Sequence, residues 1–256
     1  MITSLSNGKV KLVRSLARRR ARYAARQFVV EGVRSIEEAQ GAGITPALVF
    51  YSAPADEDPR AYGLLGRLRA RTPEMFEVSS AVMQAMSNTE TPSGILAVLP
   101  LIELALPPVP QFALVLDAVR DPGNTGTILR SAWAAGVDAI YFGRGTADPY
   151  NDKVVRAAMG AHFHVPIRVA RDWDEIGQAL REVPRIYLAD TQGQVSYRDA
   201  DWSLPVALIV GGEAGGAGEE ARRVATARVS IPMRGGAESL NAAMAASILL
   251  FQAARA

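Results

Sequence analysis

The feature that most constrains the fold is Phe112-Ala-Leu-Val-Leu116, an apolar run with no polar residue at alternate positions. A strand with one face in water alternates, whereas a strand buried on both faces does not, so this run marks the interior of a parallel sheet. Asp121-Pro-Gly-Asn124 breaks the run and opens a helix, with Asn124 or Thr125 as the expected N-cap. Gly136 closes that helix before the next apolar run, Ala139-Ile-Tyr-Phe142. Strand, helix and strand in this order make a βαβ unit. The alternation continues with a helix over 152–159, a strand over 165–169, a helix over 173–181, strands over 185–188 and 206–210, a helix over 219–224, a strand over 228–231 and a final helix over 239–254. The C-terminal half is therefore expected to be α/β with a mostly parallel sheet.

The first hundred residues read as a smaller α/β unit. A basic helix precedes the strand Phe28-Val-Val-Glu31; a helix over 32–40, the strand Ala47-Leu-Val-Phe-Tyr51 and a helix over 62–71 follow. Thr91-Pro-Ser-Gly94 is a turn that feeds the apolar strand Ile95-Leu-Ala-Val-Leu99. Pro100, Pro107, Pro108 and Pro110 then punctuate a stretch without helical start or stop signals. This places a linker at 104–111, between a domain of residues 1–103 and one of 112–256. No internal repeat or low-complexity tract interrupts either part.

Composition narrows the chemistry. The 256 residues are 49% hydrophobic and 21% charged, ordinary globular values that argue against disorder. No apolar run reaches the roughly 18 residues of a membrane span, and no secretory apolar segment opens the chain, so a cytosolic protein is expected. With no cysteine and only His162 and His164, thiol nucleophiles, iron–sulfur clusters and most zinc sites fall away, and no metal is expected. The two histidines are expected on one face of a strand, in a structural role. The net charge of +2 hides an asymmetry: Lys9, Lys11, Arg14, Arg18, Arg19, Arg20, Arg22 and Arg26 crowd the first thirty residues with no acid among them. Removing those eight from 28 basic residues leaves 20 against 26 acids. Such a cluster reads either as a footprint for a phosphate backbone or as a solvated helix face.

Common nucleotide folds do not fit. Gly211-Gly-Glu-Ala-Gly-Gly-Ala-Gly218 breaks the G-x-G-x-x-G spacing, and no Gly-Lys-Ser/Thr ends a glycine stretch. Three other segments carry chemistry-bearing residues. In the first, Asn124, Gly126 and Arg130 follow the spacing N-x-G-x-x-x-R just beyond the strand 112–116, where open α/β sheets bind ligands. In the second, Ala207-Leu-Ile-Val-Gly-Gly-Glu213, two glycines let a ligand approach the main chain and Glu213 follows them. The third runs from Ile231-Pro-Met233 through a Gly-rich loop to Glu238-Ser-Leu-Asn241, with Ser239 and Asn241 expected at a helix start. Plainer roles remain open for each segment alone: a cap and a surface cation, a glycine-rich strand end, an Ala-rich core helix.

Taken together, the three segments resemble the motifs of the TrmH/SpoU group of SPOUT RNA 2′-O-ribose methyltransferases, in this order. Phe28-Val-Val-Glu-Gly-Val-Arg34 and Thr91-Pro-Ser-Gly-Ile95 are similar to the SpoU substrate-binding domain, which has an L30e-like fold. The resemblance implies a trefoil-knotted catalytic domain with a mostly parallel sheet behind a small L30e-like α/β domain. It also implies a homodimer whose active sites draw on both chains.

The implied cofactor is S-adenosylmethionine, held by Gly211, Gly212, Ile231, Met233, Ser239 and Leu240, with Leu188 and Ala189 adding to the adenosine pocket. The implied substrate is RNA, most specifically 23S ribosomal RNA, gripped by Lys9, Lys11, Arg18, Arg19, Arg20 and Arg22. Arg130 is implied as the activating residue, Asn124 and Asn241 as shaping its surroundings, Ser239 as close to cofactor and substrate, and Glu213 as supporting. A guanidinium holds its proton with a pKa above about 12, so Arg130 reads either as base or as a clamp on phosphate and developing alkoxide. The rival readings are a transfer RNA methyltransferase and a non-catalytic RNA-binding or ribosome-assembly protein.

Overall fold

Period-two alternation decides how the first sheet is covered. Its strands are β1 (Gln27–Glu31), β2 (Leu48–Tyr51), β3 (Met75–Glu77) and β4 (Ile95–Pro100), in the order β1-β4-β2-β3. β4 pairs antiparallel with β1 and β2, and β2 pairs parallel with β3. Phe28, Val30, Val49, Ala97 and Leu99 point to one face, where they meet Ile36, Leu64, Leu65 and Leu68 from the helices Val33–Gly41 and Pro59–Arg69. Leu48, Phe50, Leu96 and Val98 point to the other face, onto Val10, Val13, Val82 and Met83 from the helices Gly8–Ser15 and Ser80–Met86. Both faces are thus apolar because both are covered.

The structure is a computed structural model and describes all residues except 54, 56, 57, 73, 214 and 256. The chain forms two compact units, Met1–Ile102 with Tyr150–Phe163, and Glu103–Pro149 with His164–Ala256. The division expected from the sequence, 1–103 against 112–256, therefore misplaces one segment. Tyr150, Val155 and Phe163 join the core of the first unit, where the Tyr150 ring lies 5.0 Å from that of Phe28. The Tyr150 hydroxyl donates to the Ile102 carbonyl at 2.7 Å. The amphipathic helix Asp152–Ala158 carries no mark in sequence of which core it joins.

The second unit is a seven-stranded sheet in the order β7-β6-β5-β10-β8-β11-β9, paired parallel throughout. The strands are β5 (Phe112–Asp117), β6 (Ala139–Phe142), β7 (Ile167–Val169), β8 (Arg185–Ala189), β9 (Val195–Ser196), β10 (Val206–Gly211) and β11 (Ala227–Ser230). β5 and β10 lie next to each other in the middle and are buried along their length, as the apolar run demanded. β11 lies between β8 and β9, two strands joined by the short loop 190–194. On one face the helix Trp173–Leu180 packs Trp173, Ile176 and Leu180 against Val115, Leu188 and Ile209. The helix Ala242–Ala253 packs on β10 and on the helix Pro122–Ala134, to which the Ser131 and Ser247 hydroxyls bond at 2.7 Å. Among the described residues no helix is long and apolar enough to cross a membrane.

Several local expectations change. The single basic helix is two, Gly8–Ser15 and Arg19–Ala25. The helix after β5 starts at Pro122 with Asp121 as its N-cap, not at Asn124 or Thr125. Its cap is the Asp121 carboxylate, which accepts from the Asn124 backbone N–H at 2.7 Å, and proline suits the first helical position because its missing N–H would have no partner there. The last helix begins at Ala242 with Asn241 as cap, leaving Ser239 in the preceding loop. The histidines do not share a strand. His162 is buried in the 3-10 turn Ala161–Phe163, while exposed His164 stacks on Trp133 with ring centroids 4.4 Å apart.

Candidate active site

The carboxyl ends of β8, β10 and β11 converge on one cavity of about 510 Å³. Its walls include Ala189 and Asp190 at the end of β8, Gly211, Gly212 and Glu213 at the end of β10, and Ile231, Met233, Ser239, Leu240 and Asn241 beyond β11. Nine of the sequence-derived residues therefore gather in one place. Leu188 does not join them: it is fully buried in the sheet core, one residue short of the strand end.

The glycines at the end of β10 serve a purpose the sequence reading missed. A Cβ on Gly212 would lie 2.1 Å from the Ala118 carbonyl oxygen, and one on Gly211 would lie 2.3 Å from the Ala217 amide nitrogen. The main chain pressed against them is the protein's own. The loop that follows is pinned by buried Asp117, whose carboxylate accepts from the Gly218 N–H at 2.7 Å.

This packing delivers Glu213 to Asn124. The Glu213 carboxylate accepts from the Asn124 side-chain amide at 2.8 Å and from the Arg120 N–H at 3.3 Å. The Asn124 carbonyl in turn accepts from the Asn241 amide at 3.0 Å. The Asn241 carbonyl caps the last helix, accepting from the Ala243 and Met244 N–H groups at 3.0 and 3.3 Å. The direction of every bond is fixed, because an ionised carboxylate only accepts and helix N–H groups only donate. Burial pushes the Glu213 carboxyl up. The bonds from Asn124 and from the backbone at Glu213, Arg120 and Asp121 outweigh it and hold the group below the usual carboxylate range. Glu213 is therefore an anion at neutral pH.

Arg130 stands apart. It is on the exposed face of Pro122–Ala134, outside the cavity walls, and has no hydrogen-bond or ion-pair partner among the described residues. Ser239, at the cavity wall, is likewise exposed.

In the first unit the basic residues separate into two kinds. Lys11, Arg18, Arg19 and Arg20 are exposed, with Arg19 over the Tyr23 ring. Lys9 pairs with Glu74 and lies over Phe76. Arg22 is 3% exposed and donates to the Leu16 and Ala17 carbonyls at 2.8 and 2.9 Å, so it closes the end of the first helix and is not presented to a phosphate. Sequence reasoning also missed Asp190 and Arg222 in the cavity wall, an ion pair 32 residues apart in the chain. The Asp121-Pro122 cap was legible in retrospect.

A parallel sheet with a ligand-sized cavity at its carboxyl edge, and a carboxylate and two amides locked beside it, defines an α/β enzyme that binds a small organic cofactor. Residues 111–251 match the SpoU rRNA Methylase family, and residues 7–97 match the MRM3-like substrate binding domain. The chain is 34% identical to the 23S rRNA (guanosine(2553)-2′-O)-methyltransferase RlmP of Bacillus subtilis, over 98% of this chain and 97% of that one. It superposes on an AdoMet-bound rRNA methyltransferase from Sinorhizobium meliloti with a TM-score of 0.86 at 32% identity, covering 99% of this chain and 97% of that one. The SpoU methyltransferase AviRb from Streptomyces viridochromogenes, in complex with AdoMet, gives 0.87 at 29% identity, covering 97% of each chain. The protein belongs to the SpoU rRNA methylase family, as the three segments implied.

Proposed function

We propose that this protein is a cytosolic enzyme that transfers the methyl group of S-adenosylmethionine to a ribose 2′-hydroxyl of 23S ribosomal RNA. The observation that carries the reading is the bond chain from Glu213 through Asn124 to Asn241, which joins all three segments beside the cavity. The volume of about 510 Å³ lies inside the roughly 300–1,000 Å³ range of small-molecule sites. The donor set fits as well: main chain at Gly211 and Gly212 for polar edges, Ile231, Met233 and Leu240 as apolar walls for a purine, and anionic Glu213 for a cationic sulfonium.

Adenosylmethionine, when bound, supplies a methyl group already attached to its leaving group. The chain's own work is to orient the ribose hydroxyl and to ease loss of its proton. Asn124 and Asn241 hold the floor of the site rigid, and Ser239 offers a hydroxyl at the cavity wall. Arg130 stays protonated and clamps a substrate phosphate while stabilising the developing alkoxide, since its guanidinium is a poor base at neutral pH, and water takes the hydroxyl proton. Lys11, Arg18, Arg19 and Arg20 grip the RNA through phosphates and shape. This assigns RNA binding to the first unit, in keeping with its match to a substrate-binding domain.

The working form in this reading is a homodimer with a trefoil-knotted catalytic domain. Met244 and Phe251, 58% and 49% exposed, lie one turn either side of Ser247, the residue bonded to Ser131 beside Arg130. A second copy on this face buries both and lets each site draw on an Arg130 from the other chain. The knot is supported by the position of β11 between β8 and β9. Sedimentation of a Met244→Asp/Phe251→Asp variant as a dimer would sink the assigned interface.

The decisive experiment incubates the protein and labelled adenosylmethionine with unmodified 23S, 16S and transfer RNA and then hydrolyses the products in alkali. Label is expected in 23S RNA, in an alkali-resistant dinucleotide, because a 2′-O-methyl blocks cleavage. Label in transfer RNA alone would make the enzyme a transfer RNA methyltransferase, and cofactor binding without transfer to any RNA would make it a binding protein.

A further inference from the structure

Asp190 and Arg222 line the cavity yet take no part in the Glu213–Asn124–Asn241 chain. Asp190 is the first residue beyond β8, at the carboxyl edge of the sheet, with its side chain 12% exposed. One carboxylate oxygen accepts from Arg222 at 2.9 Å and lies 3.5 Å from the Arg228 guanidinium; the other accepts from the Gln192 N–H at 2.9 Å. Burial pushes the carboxyl up, but the Gln192 N–H and the two guanidinium groups outweigh it and keep the pKa below its ordinary value. The group is an anion at neutral pH, with roughly four lone-pair positions of which three are engaged.

The remaining acceptor selects its donor by charge. Two guanidinium groups already face this one carboxylate, so the local sum is positive and an incoming ammonium is repelled. A neutral donor is accepted. Adenosylmethionine carries two kinds, the exocyclic amine of its purine and the hydroxyls of its ribose. The purine belongs against the apolar walls at Ile231, Met233 and Leu240, which leaves the hydroxyls for the polar end at Asp190.

We propose that Asp190, oriented by Arg222, receives the ribose hydroxyls of adenosylmethionine and makes the cavity selective for a ribonucleoside cofactor over its deoxyribose counterparts. The proposal rests on the reading of the cavity as the adenosylmethionine site. It requires no base-edge contact and no group outside this unit.

Isothermal titration with S-adenosylhomocysteine and with its 2′-deoxy and 3′-deoxy analogues tests it, alongside thermal melting of each variant. Wild-type protein is expected to bind the parent compound about tenfold tighter than at least one deoxy analogue. Asp190→Ala is expected to lose about tenfold for the parent and to abolish that discrimination, while Asp190→Asn, which still accepts a bond, retains part of it. Arg222→Ala is expected to weaken the preference without erasing it. Equal wild-type affinity for all three compounds overturns the proposal without recourse to any variant. So does an Asp190→Ala variant that loses the same factor for all three, since its carboxylate would then act only by holding the loop. Failure of wild-type protein to bind S-adenosylhomocysteine at all overturns the reading of the cavity itself.

Discussion

Replacing Asn124 with Asp changes one nitrogen to an oxygen and turns the shortest link of the site's bond chain into a repulsion. In the wild-type protein the Asn124 amide donates to Glu213 at 2.8 Å. In the variant two carboxylates face each other across that gap, while the bond from Asn241 to the remaining oxygen survives. At 2.8 Å, two unit charges repel by about 1.5 kcal/mol in bulk water and about 6 kcal/mol at an effective dielectric constant of 20. Glu213 is exposed, so screening places the cost toward the lower figure, about 2–3 kcal/mol with the lost bond included. The cost depends on pH in a determined direction. The native pair raises the pKa of one member and keeps a proton that the unfolded chain has lost, so variant stability falls as pH rises through the raised value. Wild-type Glu213, with its pKa lowered, behaves oppositely: its contribution is present above the unfolded value and is lost as pH falls through the folded one. Urea unfolding followed by circular dichroism at pH 8 and pH 5 should therefore show a large deficit for Asn124→Asp at pH 8 and a smaller one at pH 5. A deficit of equal size at both values, or none at pH 8, would refute the arrangement of Glu213 against Asn124.

Other substitutions separate the remaining roles. Arg130→Lys is expected to lose most methyl transfer, at least tenfold in kcat, with S-adenosylhomocysteine affinity unchanged; full activity would show that a point charge suffices and that no bidentate clamp exists. Joint replacement of Arg18, Arg19 and Arg20 by Gln should raise the RNA dissociation constant and flatten its salt dependence, by a slope of up to about 3, without altering cofactor binding; an unchanged slope would remove the phosphate grip from this helix. Gly212→Ala drives a methyl group to 2.1 Å from the Ala118 carbonyl and should cost about 3 kcal/mol or more, read as a lower melting temperature and poor soluble yield; a variant as stable as wild type would contradict the close approach of the two strand ends.

The parts of this molecule that were legible in sequence are those set by short-range pattern. Phe112–Leu116 and Val206–Val210 declared buried parallel strands because an unbroken apolar run has no wet face to offer. The helix Glu219–Val224 was placed to the residue. The three chemistry-bearing segments were found, but the bonds between them were not, because Asn124 and Asn241 meet across 117 positions of chain and their amides point where tertiary packing sends them. Arg22 misled for a related reason: charge predicts exposure, and nothing local shows that its guanidinium closes a preceding helix. The segment 150–163 was assigned to the wrong unit because an amphipathic helix advertises a buried face without naming its partner.

The position of β11 bears on how the enzyme comes into being. A strand inserted between β8 and β9 can form its ladder only after both earlier strands exist, and until then β8 presents an unpaired backbone edge. The cavity walls at Ile231, Met233 and Ser239–Asn241 come later still in the chain. During synthesis the half-made protein therefore holds a nearly complete sheet with a sticky open rim and no finished ligand pocket. The pocket is completed only once residues 231–241 have been made, and a chain that stops before them carries the open β8 edge, a template for pairing with another chain.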